Sequence, residues 1–541
     1  MPARRGRLRA ETAAPSCLDP LSRLNHDVVH MILLYLAIDD ILRLELVSRA
    51  WRDLVREWMR RFGTRYLIQP TWYPGGLAEP MKPLPYEELR NHVRTIHRTQ
   101  TGLLSSAHNF EDMAFFAVGA QYAVWVSRSD ASSSQRHRHA NYEMPSDIIS
   151  WRSMAAGRPQ MAVKAARLWR VGSEGVTVGS LLVNEEGILF VSLKYGHPHL
   201  KGERDIVYSL ATNKIIWSRD RDIRRAEAFM PFAIGVSHIY AASWDPAEER
   251  YMLVAEDFRR KKRRYASAGL PSNWPFAYDH FHDFQSYGME FAKVARISDE
   301  EELVLQLKQT GDSSSREIEI IRGTDGTLVG RVPCTRRDLH CAMSHPPTGH
   351  IAFTTPTWRL PEKVENALEA FGRYQVFITR RFSNHCEVGL QLLSVDVVLV
   401  PREWLIRPNY RLESLVVIDP FHRTAFVSSA RKAKEEYSNS GWTIFSCPLV
   451  LTEDSGLCAA AMAAIPHALA GSKDIEDPNV VSQCYILAEG NKITLPAKPK
   501  KGRDKREALE LPHPMGNWHG RVAGGQVSLF LEEEHYVLNF V

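Results

Sequence analysis

Cysteine is scarce in this sequence, and its spacing argues against the common cysteine-based sites. The seven cysteines are odd in number, widely separated and without a Cys-x-x-Cys pair: Cys17, Cys334, Cys341, Cys386, Cys447, Cys458 and Cys484. Such a set speaks against a disulfide framework and a zinc finger, and it suits a reducing compartment. We therefore expect a location in the cytoplasm, the nucleus or both.

Long apolar runs are also missing near the N-terminus. The longest one there, Met31 to Ile38, is far shorter than the roughly 20 residues with which a helix spans a bilayer. Residues Met1 to Ala14 are basic and lack the apolar centre of a signal peptide. These features predict no membrane partner.

Sequence motifs of enzymes are absent as well. The chain has no P-loop, Gly-x-Ser-x-Gly, His-Glu-x-x-His or dinucleotide fingerprint. Its most crowded group of candidate metal ligands meets no recognised zinc spacing: Cys334, His340, Cys341 and His345. We therefore predict that the protein is not an enzyme and has no catalytic, cofactor-binding or metal-binding residues and no cofactor.

An excess of charge of one sign is also lacking. The chain has 68 Lys and Arg residues against 63 Asp and Glu residues, for a formal net charge of +5. This balance gives no support for nucleic acid as a partner. The sequence has two basic runs, Arg259–Arg264 and residues 498–506. Each fits a nuclear import signal or an anion-binding patch, but such runs are more often solvated surface loops.

Length and apolar content are what the sequence does have. Its 541 residues exceed the roughly 250–300 that one hydrophobic core supports, so we expect at least two structural units. A hydrophobic fraction of 44% is typical of folded domains. Residues 1–17, rich in Arg, Ala and Pro, predict a disordered basic tail, and the Pro- and Gly-containing residues 66–104 predict a linker or irregular segment.

Residues 21–62 have the apolar spacing of three short helices. The first is predicted from His26 to Leu36 after an Asn25 cap, and the third from a Ser48 cap to a stop at Gly63. A second helix between them is expected to be capped by Asp39 or Asp40. The apolar stripe of the third helix predicts burial of its members: Trp51, Leu54, Val55, Trp58, Met59 and Phe62.

From residue 105 onward, short apolar runs between turn signals predict strands. Three segments have the form of hairpins: 207–220 with Asn213-Lys214 at the turn, 318–332 with Asp325-Gly326, and 415–429. The last pair, Gln526–Leu531 and Tyr536–Phe540, is expected to close the array of strands. Loose repetition over this length favours a propeller-like fold over a sandwich, without giving a blade number.

The helical segment resembles the F-box, a family of adaptor-binding modules. The likeness is strongest in "LRLELVSRAWRDLV", residues 42–55, where an apolar helix is followed by Val-Ser, a basic residue and Trp-Arg. The family's usual Leu-Pro is replaced by Leu24-Asn25, and an Asn cap can do a related job. Together with the strand pattern this predicts an α+β multidomain protein, with a three-helix F-box at 18–65 and an all-β, propeller-like domain at 105–541.

The resemblance implies partners, because F-box modules dock on a Skp-type adaptor that sits on a cullin scaffold. The chain would then be the substrate-recognition subunit of an SCF-type (Skp–cullin–F-box) ubiquitin ligase, binding an unknown target protein through its β domain. Three helices of this length cannot bury all their apolar residues among themselves, which agrees with a partner. Adaptor contact is assigned to the positions that are apolar in the family: Leu24, Ile32, Leu36, Leu42, Leu44, Val47, Trp51 and Leu54.

Three alternatives stay open at this stage. The apolar residues could form only the core of a three-helix module packed on the β region. An F-box protein could also act with the adaptor as a scaffold outside ubiquitin ligation. Lastly, propellers can host enzymes, although no motif in the sequence indicates one.

Overall fold

The fold is that of a computed structural model, which describes two compact units. The division places residues 1–74 and 78–93 in the first unit and residues 75–77 and 94–541 in the second. The described residues are 24–68, 83–110, 115–119, 121–127, 146–154, 159–169, 175–197, 200–221, 229–245, 247, 249–260, 262–268, 292–297, 302–310, 315–333, 343–345, 350–354, 368–381, 388–401, 415–430, 442–452, 456, 459, 481–494, 520–523, 526–531 and 534–541. The predicted basic tail, residues 1–17, lies outside them.

The first unit is helical. Its elements are α1 (His26–Tyr35), α2 (Ile38–Leu44), α3 (Arg49–Trp58), a π-helix (Met59–Ile68) and the first half of α4 (Tyr86–Thr101). The predicted caps of the first and third helices are confirmed. The Asn25 side chain accepts a hydrogen bond from the Asp27 amide at 3.5 Å, and the Ser48 hydroxyl accepts one from the Trp51 amide at 3.2 Å.

Two local expectations are corrected. Helix α2 begins at Ile38 after Ala37, so neither Asp39 nor Asp40 is its cap. Gly63 does not end the third helix, because the chain continues through it as a π-helix. A Cβ at Gly63 would lie 2.5 Å from Cδ2 of Leu89, so the glycine allows a close approach of α4 instead.

Helix α4 corrects the expectation of an irregular segment over 66–104. Pro and Gly are frequent just before Tyr86, and they led to the expectation of an irregular segment. The residues from Tyr86 onward nevertheless have apolar side chains at helical spacing, and they form a helix. These residues, Leu89, Val93 and Ile96, are all buried. The part of the predicted linker from 69 to 82 lies outside the described residues.

The core of the helical unit is formed by apolar side chains from one side of each helix. Trp58 is buried, and its indole Nε1 donates a hydrogen bond to Nδ1 of His30 at 2.8 Å. The His30 ring in turn packs on Phe62 at a centroid distance of 4.3 Å. The buried apolar residues of this unit are Val29, Leu33, Ile41, Val55, Trp58, Met59, Leu67, Ile68, Leu84, Tyr86, Leu89 and Val93.

The second unit is built mainly from strands, and its described residues also include the second half of α4 and a short helix, α5 (Ala165–Leu168). Its first strands are β1 (Ser106–Phe110), β2 (Phe115–Val118), β3 (Tyr122–Ser127), β4 (Ile148–Ser153), β5 (Gln160–Lys164), β6 (Val176–Val183), β7 (Ile188–His197), β8 (Leu200–Ser209), β9 (Lys214–Arg221), β10 (Phe229–Ile234), β11 (His238–Asp245), β12 (Arg250–Asp257), β13 (Lys262–Ala268) and β14 (Ala292–Arg296). The remaining strands are β15 (Glu302–Thr310), β16 (Ser315–Arg322), β17 (Leu328–Pro333), β18 (Met343–His345), β19 (His350–Thr354), β20 (Leu368–Arg381), β21 (Val388–Pro401), β22 (Leu415–Asp419), β23 (Thr424–Ala430), β24 (Trp442–Leu451), β25 (Val481–Leu487), β26 (Asn491–Ile493), β27 (Gly520–Ala523), β28 (Gln526–Leu531) and β29 (Glu534–Asn539).

These strands form consecutive sheets, in which every pair is antiparallel except β21 with β25. Five sheets have four strands each, in the orders β2-β3-β4-β5, β6-β7-β8-β9, β10-β11-β12-β13, β14-β15-β16-β17 and β1-β29-β28-β27. A nine-stranded sheet combines two further sets, β18 to β21 and β22 to β26, because β25 pairs with both β21 and β24. Five sheets and two sets make seven blades among the described strands.

The first strands of successive blades meet around a centre, as in a β-propeller. Strand β2 contacts β6, β6 contacts β10, β10 contacts β14, and β14 contacts β18. Strands β18 and β22 both contact β27 of the last blade. The prediction of a helical N-terminal segment followed by a propeller-like β region is confirmed, and the blade number is added to it.

Three predicted hairpins are confirmed. They join β8 to β9, β16 to β17 and β22 to β23. Asn213, with φ 55°, and Gly326, with φ 79°, supply the left-handed conformations that these tight turns need.

The last blade unites the two ends of the propeller sequence. The predicted C-terminal hairpin is confirmed as β28 paired with β29. Strand β29 also pairs with β1, from Ser106 opposite Asn539 to Phe110 opposite His535. The blade therefore takes three strands from the end of the chain and one from its beginning, a closure that hides the apolar terminal strand inside a sheet.

The second half of α4 is bound to the propeller within the second unit. The Gln100 side-chain amide donates to the carbonyl of His422 at 3.4 Å, and the Asn491 side-chain amide donates to the carbonyl of Gln100 at 3.0 Å. The Ser446 hydroxyl donates to the carbonyl of Thr99. Among the described residues, no helix is both long and apolar enough to cross a membrane.

Deleting residues 524–541 should abolish cooperative folding of the β region, because β1 and β27 lose their ladder partners and the blade that closes the ring disappears. Circular dichroism and thermal unfolding of the truncated chain would show lost strand signal or aggregation. Removal of the exposed Val541 alone is the control and should leave the transition unchanged. A soluble truncated chain with an unaltered transition would contradict closure of the ring.

Candidate partner-docking surface

Helix α1 exposes an unusual number of large apolar side chains. Val28, Met31, Ile32 and Tyr35 are all exposed, and Tyr35 keeps 83% of its surface accessible. Their spacing of three and four residues places them on one side of the helix. We call these four residues the α1 stripe; Leu24, just before the helix, is exposed as well.

The opposite side of α1 is also apolar, but it is buried. Val29 and Leu33, four residues apart, are buried in the helical unit, and Leu33 is fully inaccessible. A helix that is apolar on two sides needs two covering surfaces. The described residues of the chain supply one of them.

A second exposed apolar site follows α2. Leu46 is 78% exposed and Val47 is 61% exposed, in the turn between α2 and α3. The turn has a fixed backbone, because the Leu46 amide donates to the Arg43 carbonyl at 2.9 Å and the Val47 amide donates to the Leu44 carbonyl at 3.2 Å. Two neighbouring apolar side chains are therefore held outward in a defined conformation. We call this pair the Leu46–Val47 turn.

A buried charged group stands directly before this turn. Glu45 is only 3% exposed and follows the last residue of α2. Its Oε1 accepts a hydrogen bond from the Tyr86 hydroxyl, and its Oε2 lies 3.4 Å from Nε of Arg90. Its backbone carbonyl accepts a hydrogen bond from Nε of Arg52 at 3.2 Å.

Tyr86 and its neighbour Arg56 both have a raised pKa. Burial raises the pKa of the Tyr86 hydroxyl, and the hydrogen bond to Glu45 raises it further. The Arg56 guanidinium lies 5.3 Å from the centre of the Tyr86 ring, and its hydrogen bond to Tyr86 raises the pKa of Arg56. Tyr86 is therefore a protonated hydrogen-bond donor at neutral pH.

The eight positions assigned to adaptor contact are all at least partly accessible. Leu24, Ile32 and Val47 are exposed, and the other five are half-buried: Leu36, Leu42, Leu44, Trp51 and Leu54. None belongs to the buried core. The expectation that Trp51 and Leu54 are buried is corrected, since Val55 and Trp58 of the same stripe occupy the core.

Sequence reasoning missed four exposed apolar residues. Val28, Met31, Tyr35 and Leu46 match no residue singled out by the family pattern, yet all are exposed. The spacing of 28, 31 and 35 was readable in the sequence, but periodicity could not tell which side of α1 faces the core.

Nothing in the described part of the chain resembles a metal centre. No group of three or more His, Cys, Asp and Glu residues there is placed to hold a metal ion. What the described helices present is an apolar contact surface.

A comparison with protein families identifies this helical segment. Residues 21–62 match the F-box domain. The chain contains an F-box domain. The matched residues include both the α1 stripe and the Leu46–Val47 turn, while Tyr86 and Arg90 lie beyond the match.

Comparisons over the whole chain add less. No curated protein matches this chain. Among solved structures it is similar to the β-propeller domain of the Trilobed protease from Pyrococcus furiosus, with 10% identity, a TM-score of 0.28, and coverage of 62% of this chain and 95% of that one. The Dos1 propeller gives 8% identity and a TM-score of 0.31, covering 80% and 94%. Hydrazine synthase from Kuenenia stuttgartiensis gives 13% identity and a TM-score of 0.27, covering 70% and 86%. The propeller assignment rests on the strand pairing and not on these likenesses.

Two tryptophans of the F-box should differ sharply when truncated. Trp58→Ala should cost about 3–5 kcal/mol of unfolding free energy, because it empties a buried site and leaves the His30 ring without its donor. Trp51→Ala should cost less than about 2 kcal/mol, since that ring is only half-buried. Chemical denaturation followed by the helical circular dichroism signal would measure both. Equal losses would show that Trp51 belongs to the core.

Proposed function

We propose that this F-box protein is the target-recognition subunit of an SCF-type ubiquitin ligase. The observation that carries the proposal is the α1 stripe, an apolar surface without cover among the described residues that lies inside the matched F-box. F-box domains typically bind Skp-type adaptors. The stripe, the Leu46–Val47 turn and the half-buried family positions would form the adaptor contact.

The propeller would hold the target protein. Loops on a propeller face surround a shallow depression that suits a peptide or a protein surface, although many propellers serve other ends. The chain itself would perform no covalent chemistry. Its contribution would be proximity: through adaptor and cullin it raises the effective concentration of target lysines near the ubiquitin-carrying enzyme. Such a subunit would work in the cytoplasm, the nucleus or both.

Charge placed on the α1 stripe should weaken adaptor binding. In the full chain, Val28→Asp or Met31→Asp should reduce affinity for a purified Skp-type adaptor about 10-fold or more, because an unpaired carboxylate would be buried in an apolar contact. Calorimetry or biolayer interferometry would measure the dissociation constant. Ile215→Asp is the matched control, because it also replaces an exposed apolar side chain by aspartate, but in the propeller. It should leave adaptor affinity unchanged.

A second measurement separates ligase from scaffold. The full chain, mixed with adaptor, cullin and ring-finger subunit, should elute as one complex during size-exclusion chromatography. Binding of the adaptor with exclusion of the cullin would instead support a scaffold role outside ubiquitin ligation. Unchanged adaptor affinity in both stripe variants would reject the proposed contact altogether.

A further inference from the structure

The Leu46–Val47 turn is anchored by residues far beyond the matched F-box. Glu45 immediately precedes the turn, and its carboxylate is held by Tyr86 and Arg90 of α4. The matched domain ends at residue 62, so these anchors follow it in the sequence. All five residues belong to the same compact unit.

The anchoring of Glu45 has a physical reason. A carboxylate taken out of water is costly unless hydrogen bonds and an opposite charge replace the solvent. Tyr86 supplies the hydrogen bond to one oxygen, Arg90 supplies the charge at 3.4 Å from the other, and Arg52 holds the backbone carbonyl of Glu45 at 3.2 Å. Both carboxylate oxygens and the backbone carbonyl of Glu45 thus have partners, and these contacts favour a single position of the residue.

Tyr86 is itself fixed in place. It is 8% exposed, and the Arg56 guanidinium lies over its ring at 5.3 Å. Loss of its hydroxyl would leave a buried carboxylate oxygen without its donor. Glu45 would then gain by moving toward water, and the adjoining backbone of Leu46 and Val47 would move with it.

We propose that Tyr86 and Arg90 are positioning residues for adaptor binding, which set the conformation of the Leu46–Val47 turn through the buried carboxylate of Glu45. The inference rests on the proposed function of the F-box. It extends the adaptor-binding module from residue 62 to the first half of α4. Tyr86 and Arg90 act on the adaptor only through Glu45.

Tyr86→Phe in the full chain tests this effect, since it removes the hydroxyl, with its hydrogen bonds to Glu45 and Arg56, and keeps the ring under Arg56. We expect an affinity loss for the Skp-type adaptor of about 10-fold. Hydrogen exchange at the Leu46 and Val47 amides should become faster, because their hydrogen bonds to Arg43 and Leu44 depend on the conformation that Glu45 fixes.

Thr64→Val is the matched control. The Thr64 hydroxyl accepts a buried hydrogen bond from the Leu84 amide at 2.9 Å, so the change removes another contact of the segment that leads into α4, away from Glu45. It should lower the unfolding temperature as Tyr86→Phe does, with adaptor affinity unchanged. If both variants lose affinity in proportion to stability, the cluster only stabilises the unit and the positioning role is rejected.

A double-mutant cycle completes the test. In a chain carrying Leu46→Ala and Val47→Ala, adaptor binding should be weaker, and adding Tyr86→Phe should change it less than about 2-fold. An additional 10-fold loss of affinity would show that Tyr86 does not act through the Leu46–Val47 turn. An intact affinity in the Tyr86→Phe chain would overturn the positioning role while leaving the proposed function in place. Absence of adaptor binding by the unaltered chain would overturn both.

Discussion

Helix α1 carries apolar side chains on two sides, and this constraint shapes the helical unit. Val29 and Leu33 must be covered, and α2, α3 and the π-helix supply Ile41, Val55 and Met59 for that core. The α1 stripe stays in water at a cost of about 1.5–3 kcal/mol for each large side chain that could be buried. Neither α4 nor the rest of the described unit relieves this cost. A binding partner would recover it, as expected if the α1 stripe is the proposed docking surface.

The stiffness of the surrounding structure matters as much as the exposed residues themselves. The Asn25 and Ser48 caps fix where α1 and α3 begin, and the carboxylate of Glu45 fixes the turn between α2 and α3. An apolar surface held in one conformation loses little entropy when a partner covers it. Under the proposed function, the buried polar residues of this unit would contribute to binding without touching the partner.

Features that depend on neighbouring residues could be predicted from the sequence. Features that depend on tertiary packing could not. Asn25 and Ser48 were readable as caps, and Asn213 marked a hairpin, because each depends on near neighbours. Trp51 and Trp58 share one stripe, and only tertiary packing decides which is buried. The exposed side of α1 was equally undecidable from spacing alone. Blade number also escaped prediction, since the repeat is degenerate and β25 joins two blades.

The pairing of β1 with β29 sets an order of events during synthesis. The F-box and β1 are synthesised before β29, the ladder partner of β1. If the F-box binds an adaptor as proposed, a nascent chain already holds the adaptor-binding helices while the edge of β1 is still unpaired. Chains that stop before β29 would then occupy the adaptor without a closed propeller to hold a target. Such shortened chains would compete for the adaptor with chains that contain β29, instead of being merely inactive.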